Sequence, residues 1–339
     1  MKLSHRAMQP GDIPECLDIV ANHPVFGSRY GPAIEHLPEA WLRLLKCEAG
    51  NTMVTRDSGD PRARICIFGI SAIVGDDFLR DLKTPPHFWV GPELTRRIMR
   101  GESPFLTGKQ IREINSRDGL NLVCWEGCVH PEYEAYGEVQ RYTINTFIHE
   151  HRGYLWKEVI GAQSWGPEHL DWILKTGGYL WDPLAGGYTS TLRTDPGEIV
   201  TRPHVVGITR DLELKRQSNW TGSWVGAIFD YHPPILGFSQ NEKHLLSCAL
   251  AGHTDEHLAN MLGTSLPAVK KRWVSIYRRV EDILPELIGD SIPTDIPASG
   301  RGREKRRRLL GYLREHPEEM RPVLRASRKR RAQTNVGAP

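Results

Sequence analysis

Between Ser239 and Val280 three helix-start signals follow one another closely, and that order restricts the segment to a bundle of short helices. Ser239-Gln240-Asn241-Glu242 is a capping box, in which the hydroxyl accepts from the N3 amide and Glu242 reaches back to the cap. Leu245, Leu246, Ala249 and Leu250 form the apolar side of the helix it opens, which Gly252 ends. Thr254 caps a second helix whose first turn holds Asp255 and Glu256, where acids complement the dipole. Leu258, Ala259 and Leu262 face inward, and the small Ala259 lets two helices approach closely. Gly263 supplies a turn, and Ser265 caps a third helix with Pro267 in its first turn. There Val269, Trp273, Ile276, Tyr277 and Val280 fall at i, i+4, i+7, i+8 and i+11, one buried stripe. Lys270, Lys271, Arg272, Ser275, Arg278 and Arg279 lie off it. A short helix, a tight turn and a basic amphipathic helix are the layout that presents a recognition helix to the major groove. Its N-terminal residues meet base edges and the flanking cations meet phosphates.

The run Thr254-Asp255-Glu256-His257-Leu258-Ala259-Asn260-Met261-Leu262-Gly263-Thr264-Ser265-Leu266-Pro267-Ala268-Val269-Lys270-Lys271-Arg272-Trp273, with Ile276-Tyr277-Arg278-Arg279-Val280 after it, resembles the LuxR/NarL-type helix-turn-helix of bacterial transcription regulators. The resemblance implies a four-helix domain over 237–288 that binds double-stranded DNA, with 266–280 as recognition helix and Lys270 at the family's DNA-contacting lysine. Its implied contact set is Thr254, Ser265, Lys270, Lys271, Arg272, Ser275, Arg278 and Arg279, and the expected assembly is a homodimer. His257, Ala268 and Arg272 stand where the family commonly has Glu, Thr and His.

The net charge of +3 conceals an asymmetry. From 237 onward there are 19 Lys and Arg against 12 Asp and Glu; before it, 25 against 29. Residues 289–302 read as a linker, 303–331 as a basic helical tail and 332–339 as disordered. In the tail Arg303, Lys305, Arg306, Arg307 and Arg308 are placed to meet the DNA backbone, while Leu309, Leu310 and Leu313 dock on the helical module.

The first 236 residues carry nine of the ten Trp and alternate short strands with helices. Arg64–Val74 and Leu120–Trp125 read as strands, Val139–His149 and Pro167–Lys175 as helices, and 186–230 as β-rich. Asp12 is expected to cap a helix with Pro14 in its first turn. Arg6-Ala7-Met8-Gln9-Pro10-Gly11-Asp12-Ile13 before a helix, the long strand ending in acids at Asp76 and Asp77, and His130-Pro131-Glu132-Tyr133 before another helix resemble the GNAT-type N-acetyltransferases. That resemblance implies a GNAT-like mixed sheet with flanking helices over 1–195, followed by a β-rich connector over 196–236. It also implies a loop, Gln/Arg-x-x-Gly-x-Gly/Ala, whose amides hold the coenzyme A pyrophosphate at a helix N-terminus. Here the stretch is Pro131-Glu132-Tyr133-Glu134-Ala135-Tyr136-Gly137-Glu138-Val139-Gln140-Arg141. Three glutamates surround the intended phosphate, and Val139 replaces the second glycine. Acetyl-CoA is therefore not expected as a cofactor and no catalytic residue is assigned.

No apolar run approaches a membrane span, and six scattered Cys make no disulfide framework, so a cytoplasmic chain without membrane attachment is expected. Cys124-x3-Cys128-x-His130 offers metal-ligand types but follows a strand and lacks a partnering pair, so no metal site is expected. The fold class is α+β for the first part and all-α helix-turn-helix for the second. The functional expectation is a DNA-binding transcription regulator whose GNAT-like, non-catalytic domain senses a small-molecule effector or dimerises. The alternative is an active acetyl-CoA-dependent N-acetyltransferase with an appended DNA-binding module.

Overall fold

The computed structural model describes residues 1–23, 26–162, 173–190, 203–218, 222–223, 225–288 and 298–324, and the chain divides into two units, 1–230 and 231–339.

The first unit is built on a mixed sheet. Its strands are β1 (Leu3–Ala7), β2 (Gly50–Asp57), β3 (Ile65–Val74), β4 (Leu120–Val129), β5 (Trp156–Ala162), β6 (Tyr179–Asp182), β7 (Gly187–Thr189) and β8 (Val205–Thr209). Their order in the sheet is β1-β2-β3-β4-β5-β8-β6-β7. All neighbours are antiparallel except β4 and β5, which pair in parallel from Leu120–Trp156 to Val123–Ile160. β3 is an almost uninterrupted apolar run because both of its faces are covered. Phe68, Ile70, Ala72 and Val74 meet α1 (Ile13–Asn22), α2 (Phe26–Tyr30), α3 (Leu37–Leu45), α4 (Asp76–Lys83) and α5 (Val90–Met99) in one core, which includes Trp41 and Leu94. On the opposite face Ile73 joins Leu120, Leu122, Trp156 and Phe229 beneath α6 (Gly108–Ile114), while Ile67 meets Val139 of α7 (Gly137–His151).

Three local expectations are corrected here. Asp12 precedes α1, but its carboxylate does not cap that helix. It accepts from the Gln9 amide at 2.8 Å and from Arg6 and Arg56, which hold its carboxyl down to about 2. The segment expected to be β-rich up to 230 contains α8 (Arg210–Gln217): Thr209 Oγ1 accepts from the Leu212 amide, Asp211 and Glu213 stand in the first turn, and Lys215 and Arg216 stand in the last. These end charges suit a helix dipole and override the strand reading. Nor is 196–236 a separate connector, since β8 lies inside the sheet between β5 and β6. Of the helix expected over 167–175 only 173–175 are described, and they are helical.

In the second unit every described regular element is helical: α9 (Gln240–Leu250), α10 (Asp255–Met261), α11 (Leu266–Ile283), α12 (Pro285–Ile288) and α13 (Ala298–Glu315), then a 3-10 turn at Pro317–Met320. The tail helix begins at Ala298, inside the segment expected to be a linker. Gly300 and Gly302 cost roughly 1 kcal/mol each in helix propensity, which tertiary packing offsets: Leu309, Leu310 and Leu313 are buried among Leu245, Leu258, Trp273 and Ile288. Residues 289–297 of the expected linker, 325–331 of the expected tail and the segment 332–339 expected to be disordered lie outside the described residues. All six cysteines are free thiols, and among the described residues no helix is long and apolar enough to cross a membrane.

Candidate functional site

In the second unit all three caps form as their residues dictate. Ser239 Oγ accepts from the Glu242 amide at 3.3 Å, while Glu242 accepts from the Ser239 amide at 2.7 Å. Thr254 Oγ1 accepts from the His257 amide and Ser265 Oγ from the Ala268 amide, both at 3.4 Å. Between the helices Gly252 (φ +88°) and Gly263 (φ +56°) take the left-handed conformation that ends a helix without a side-chain penalty. Each tight turn is thus fixed by a glycine followed by a capping hydroxyl.

The stripe on α11 is buried as its spacing requires: Val269, Trp273, Ile276 and Val280 are core residues. Trp273 and Tyr277 stack with ring centres 5.5 Å apart. The opposite face presents Lys270, Lys271, Ser275 and Arg278 to solvent, with Arg272 partly exposed beside them. Thr254 and Ser265 are exposed at the starts of α10 and α11. These seven residues of the expected contact set are exposed or partly exposed on the helical unit. The guanidinium of the eighth, Arg279, turns inward to both carboxylate oxygens of Glu242 at 3.3 Å and to the Gly237 carbonyl, because position 279 borders the buried Val280.

The tail cations are largely engaged inside the chain. Arg306 donates to Asp255 Oδ1 at 2.7 Å and to the His253 carbonyl at 2.9 Å, and its guanidinium lies 4.8 Å from the centre of the Trp273 ring. Asp255 also accepts from Trp273 Nε1 at 3.2 Å, so one carboxylate joins α10, α11 and α13. Lys305 pairs with Glu281. Arg307 and Arg308 both pair with Glu304, whose carboxyl they hold down to about 2. Arg303 is exposed. Of the five tail cations expected to meet the DNA backbone, Arg306 is held in packing, Lys305 and Arg308 are partly exposed, and Arg303 and Arg307 are well exposed.

In the first unit the loop before α7 is acidic and already satisfied. Glu132 takes a two-pronged contact from Arg64 at 2.9 and 2.7 Å and stands 3.5 Å from Arg62; Arg64 holds its carboxyl down to about 2. Glu134 lies 3.5 Å from His23, and Glu138 lies 4.0 Å from the N-terminal amine. Val139 does not obstruct the loop with its side chain, which is fully buried against Cys66, Ile67 and Tyr133. Its amide donates to the Tyr136 carbonyl at 2.9 Å, as the Gln140 amide does at 3.3 Å. A pyrophosphate would meet three carboxylates and find these amides in use, so the loop does not fit coenzyme A.

One polar group escapes sequence reasoning altogether. β4 carries a bulge: Ile70 pairs with Glu126 and Ser71 with Cys124, leaving Trp125 as the extra residue. The bulge shifts the side-chain alternation. Cys124 packs with the Trp156 core, whereas Cys128 packs with the Trp41 core; burial pushes the Cys124 thiol up to about 12 and also pushes the Cys128 thiol well up. The Cys124-x3-Cys128 pair therefore divides between two faces. The same shift carries Glu126 into the interior. Tyr30 Oη donates to Glu126 Oε1 at 2.5 Å, and Trp125 Nε1 donates to the Tyr30 oxygen at 3.2 Å. A Cβ at Gly91 would stand 2.1 Å from Tyr30 Oη, so glycine is required there. Burial pushes the Glu126 carboxyl up to about 7, against the opposing effects of the Tyr30 hydrogen bond and the Arg29 charge.

No family model matches the chain, and no curated protein matches it. Among solved structures it is similar to an uncharacterized protein from Bacillus halodurans, with 11% identity, 65% of this chain and 90% of that one covered, and a TM-score of 0.35. It is also similar to a "histone acetyltransferase HPA2 and related acetyltransferase" from Corynebacterium glutamicum, with 12% identity, 61% and 96% coverage, and a TM-score of 0.35. A third is a spermidine N-acetyltransferase SpeG chimera from Vibrio cholerae and hSSAT, with 10% identity, 64% and 100% coverage, and a TM-score of 0.36. Likenesses of this degree carry no argument about the chemistry of this chain.

Proposed function

We propose that this chain is a DNA-binding regulator that reads double-stranded DNA through α11. The supporting observation is the division of that helix into a buried Val269/Trp273/Ile276/Val280 face and an exposed face bearing Lys270, Lys271, Ser275 and Arg278. The helix follows a short helix and a glycine turn, the arrangement in which a recognition helix stands proud of its support. The finer reading is a helix-turn-helix of LuxR/NarL type, acting as a homodimer. The first unit then serves as a GNAT-like sensory or dimerisation domain. Its antiparallel run β1-β2-β3-β4 followed by the parallel β4–β5 pair supports that reading of the sheet, and the acid-lined loop before α7 supports a non-catalytic role.

The test is binding of the full chain to a duplex selected from a random pool, measured beside thermal melting. A triple Lys270→Ala, Lys271→Ala, Arg272→Ala variant should melt within about 0.5 kcal/mol per site of wild type and lose binding. A base-contacting member should cost about 1–3 kcal/mol of discrimination, whereas a phosphate contact should weaken all sequences alike. Trp273→Ala should do the reverse, losing about 3–5 kcal/mol of stability. Wild-type affinity in the folded triple variant would remove the reading's main support.

A second reading, an acetyltransferase with an appended DNA-binding module, is favoured by Glu126 alone, a carboxyl near neutrality on β4. Acetyl transfer to any amine by the full chain, lost in Glu126→Gln, would establish it over the first.

A further inference from the structure

We propose that His5, His149 and Glu150 form a site for a divalent transition-metal ion of the zinc class. β1 places His5 at the edge of the sheet, and the last turn of α7 brings His149 and Glu150 against it. One ligand atom from each of the three lies within 4.8 Å of the others. Glu150 Oε1 stands 3.6 Å from His5 Nε2 and 3.2 Å from His149 Nδ1. An ion with bonds of about 2.0–2.2 Å holds tetrahedral ligands roughly 3.3 Å apart, so both carboxylate–imidazole spacings already match to within a few tenths of an ångström, and the two imidazole nitrogens, within 4.8 Å of each other, close on the ion by side-chain rotation.

The surroundings orient these ligands. His5 Nδ1 is hydrogen-bonded to Tyr142 Oη at 2.8 Å, which turns Nε2 toward Glu150. In the metal-binding tautomer Nδ1–H donates to Tyr142 and Nε2 carries the lone pair. An outer-shell partner on the far nitrogen is the arrangement that fixes a ligating imidazole. The Glu150 carbonyl accepts from Asn51 Nδ2 at 3.1 Å, which ties the end of α7 to β2. Two imidazole nitrogens and one carboxylate oxygen select zinc-like ions over calcium and magnesium, which prefer all-oxygen shells. His149 is largely exposed, its side chain 70% accessible, so the fourth ligand position opens to solvent and takes a water. Because β1 and α7 are distant in sequence, a bound ion clips the edge strand to the helix and stabilises the first unit by linkage.

The test uses the full chain, stripped with chelator, dialysed and titrated with zinc sulfate at pH 7.5 by calorimetry, with melting recorded in parallel. Wild type should bind zinc at a site that His149→Asn weakens at least tenfold, while the metal-free proteins melt together because position 149 is exposed. Zinc should raise the wild-type melting temperature and equimolar magnesium should not. Cobalt(II) in place of zinc should give a visible absorption band that His5→Asn and His149→Asn each diminish. Equal zinc affinity in wild type and His149→Asn, no zinc binding by wild type, or an equal response to magnesium would overturn the proposal.

Discussion

Glu126 shows how one backbone irregularity decides the chemistry of a residue. With unbroken alternation along β4 it would share the face of Leu120, Leu122 and Cys124; the extra Trp125 places it beside Tyr30 in the opposite core. Burial raises its carboxyl in the fold to about 7, from an ordinary value near 4.5. A raised carboxyl favours the protonated fold: the stabilisation is complete below about pH 4.5 and is lost as pH rises through 7. Above that pH the loss approaches something on the order of 3 kcal/mol. Glu126→Gln keeps an acceptor for Tyr30 and cannot ionise. Its melting temperature should exceed that of wild type at pH 8 and match it at pH 4.5. Parallel pH–melting curves for the two proteins would refute the assignment. The glutamates before α7 act in the other direction on phosphate, so millimolar coenzyme A should not shift the melting curve. A fitting ligand at a hundred times its dissociation constant would add about 2.7 kcal/mol, which such a scan resolves.

Among the elements, α13 changes what a truncation means. Its Leu309, Leu310 and Leu313 complete the core around Trp273, and beyond it Glu319 accepts from the Ile235 and Leu236 amides. Ending the chain at 288 should therefore unfold the second unit and abolish DNA binding together with its helical signal; a folded, cooperative 231–288 fragment would contradict this. The caps, the glycine turns and the buried stripe of α11 were legible in the sequence because each depends on neighbours within four residues or on a single helical period. The docking of Leu309, Leu310 and Leu313 was legible from their spacing. The early start of α13 was not, since Gly300 and Gly302 speak for a linker and only distant packing speaks against it. The inward turn of Arg279 and the Asp255–Arg306–Trp273 junction join helices far apart in sequence, so no local pattern announces them. The bulge at Trp125 likewise leaves no local mark, and with it the position of Glu126 was out of reach. β8 entering the sheet beside β5 is a long-range pairing of the same kind.

Across the whole molecule, charge divides as the two units do. Residues 1–230 carry 25 basic against 29 acidic side chains, and 231–339 carry 19 against 12. Within the second unit the charges differ in availability. Arg306, Arg307, Arg308, Lys305 and Arg279 have carboxylate partners in the fold, whereas Lys270, Lys271 and Arg278 stand exposed on α11. A cation already paired must exchange its carboxylate for a phosphate, which gains far less than neutralising a phosphate with an exposed cation. Arg325, Arg328, Lys329, Arg330 and Arg331 follow Met320, the last of the described residues that packs on the helical core, so ending the chain at 324 removes five cations and spares Leu309 to Met320. The melting curve of that variant should match wild type. If the run reaches the duplex, the slope of log affinity against log salt should flatten by roughly 0.9 for each phosphate released, with sequence preference kept because α11 is untouched. The triple α11 variant should lose preference among sequences as well as slope. An unchanged slope on ending the chain at 324 would place the electrostatic affinity within residues 1–324, and a loss of preference there would mean that bases are read by the removed run instead.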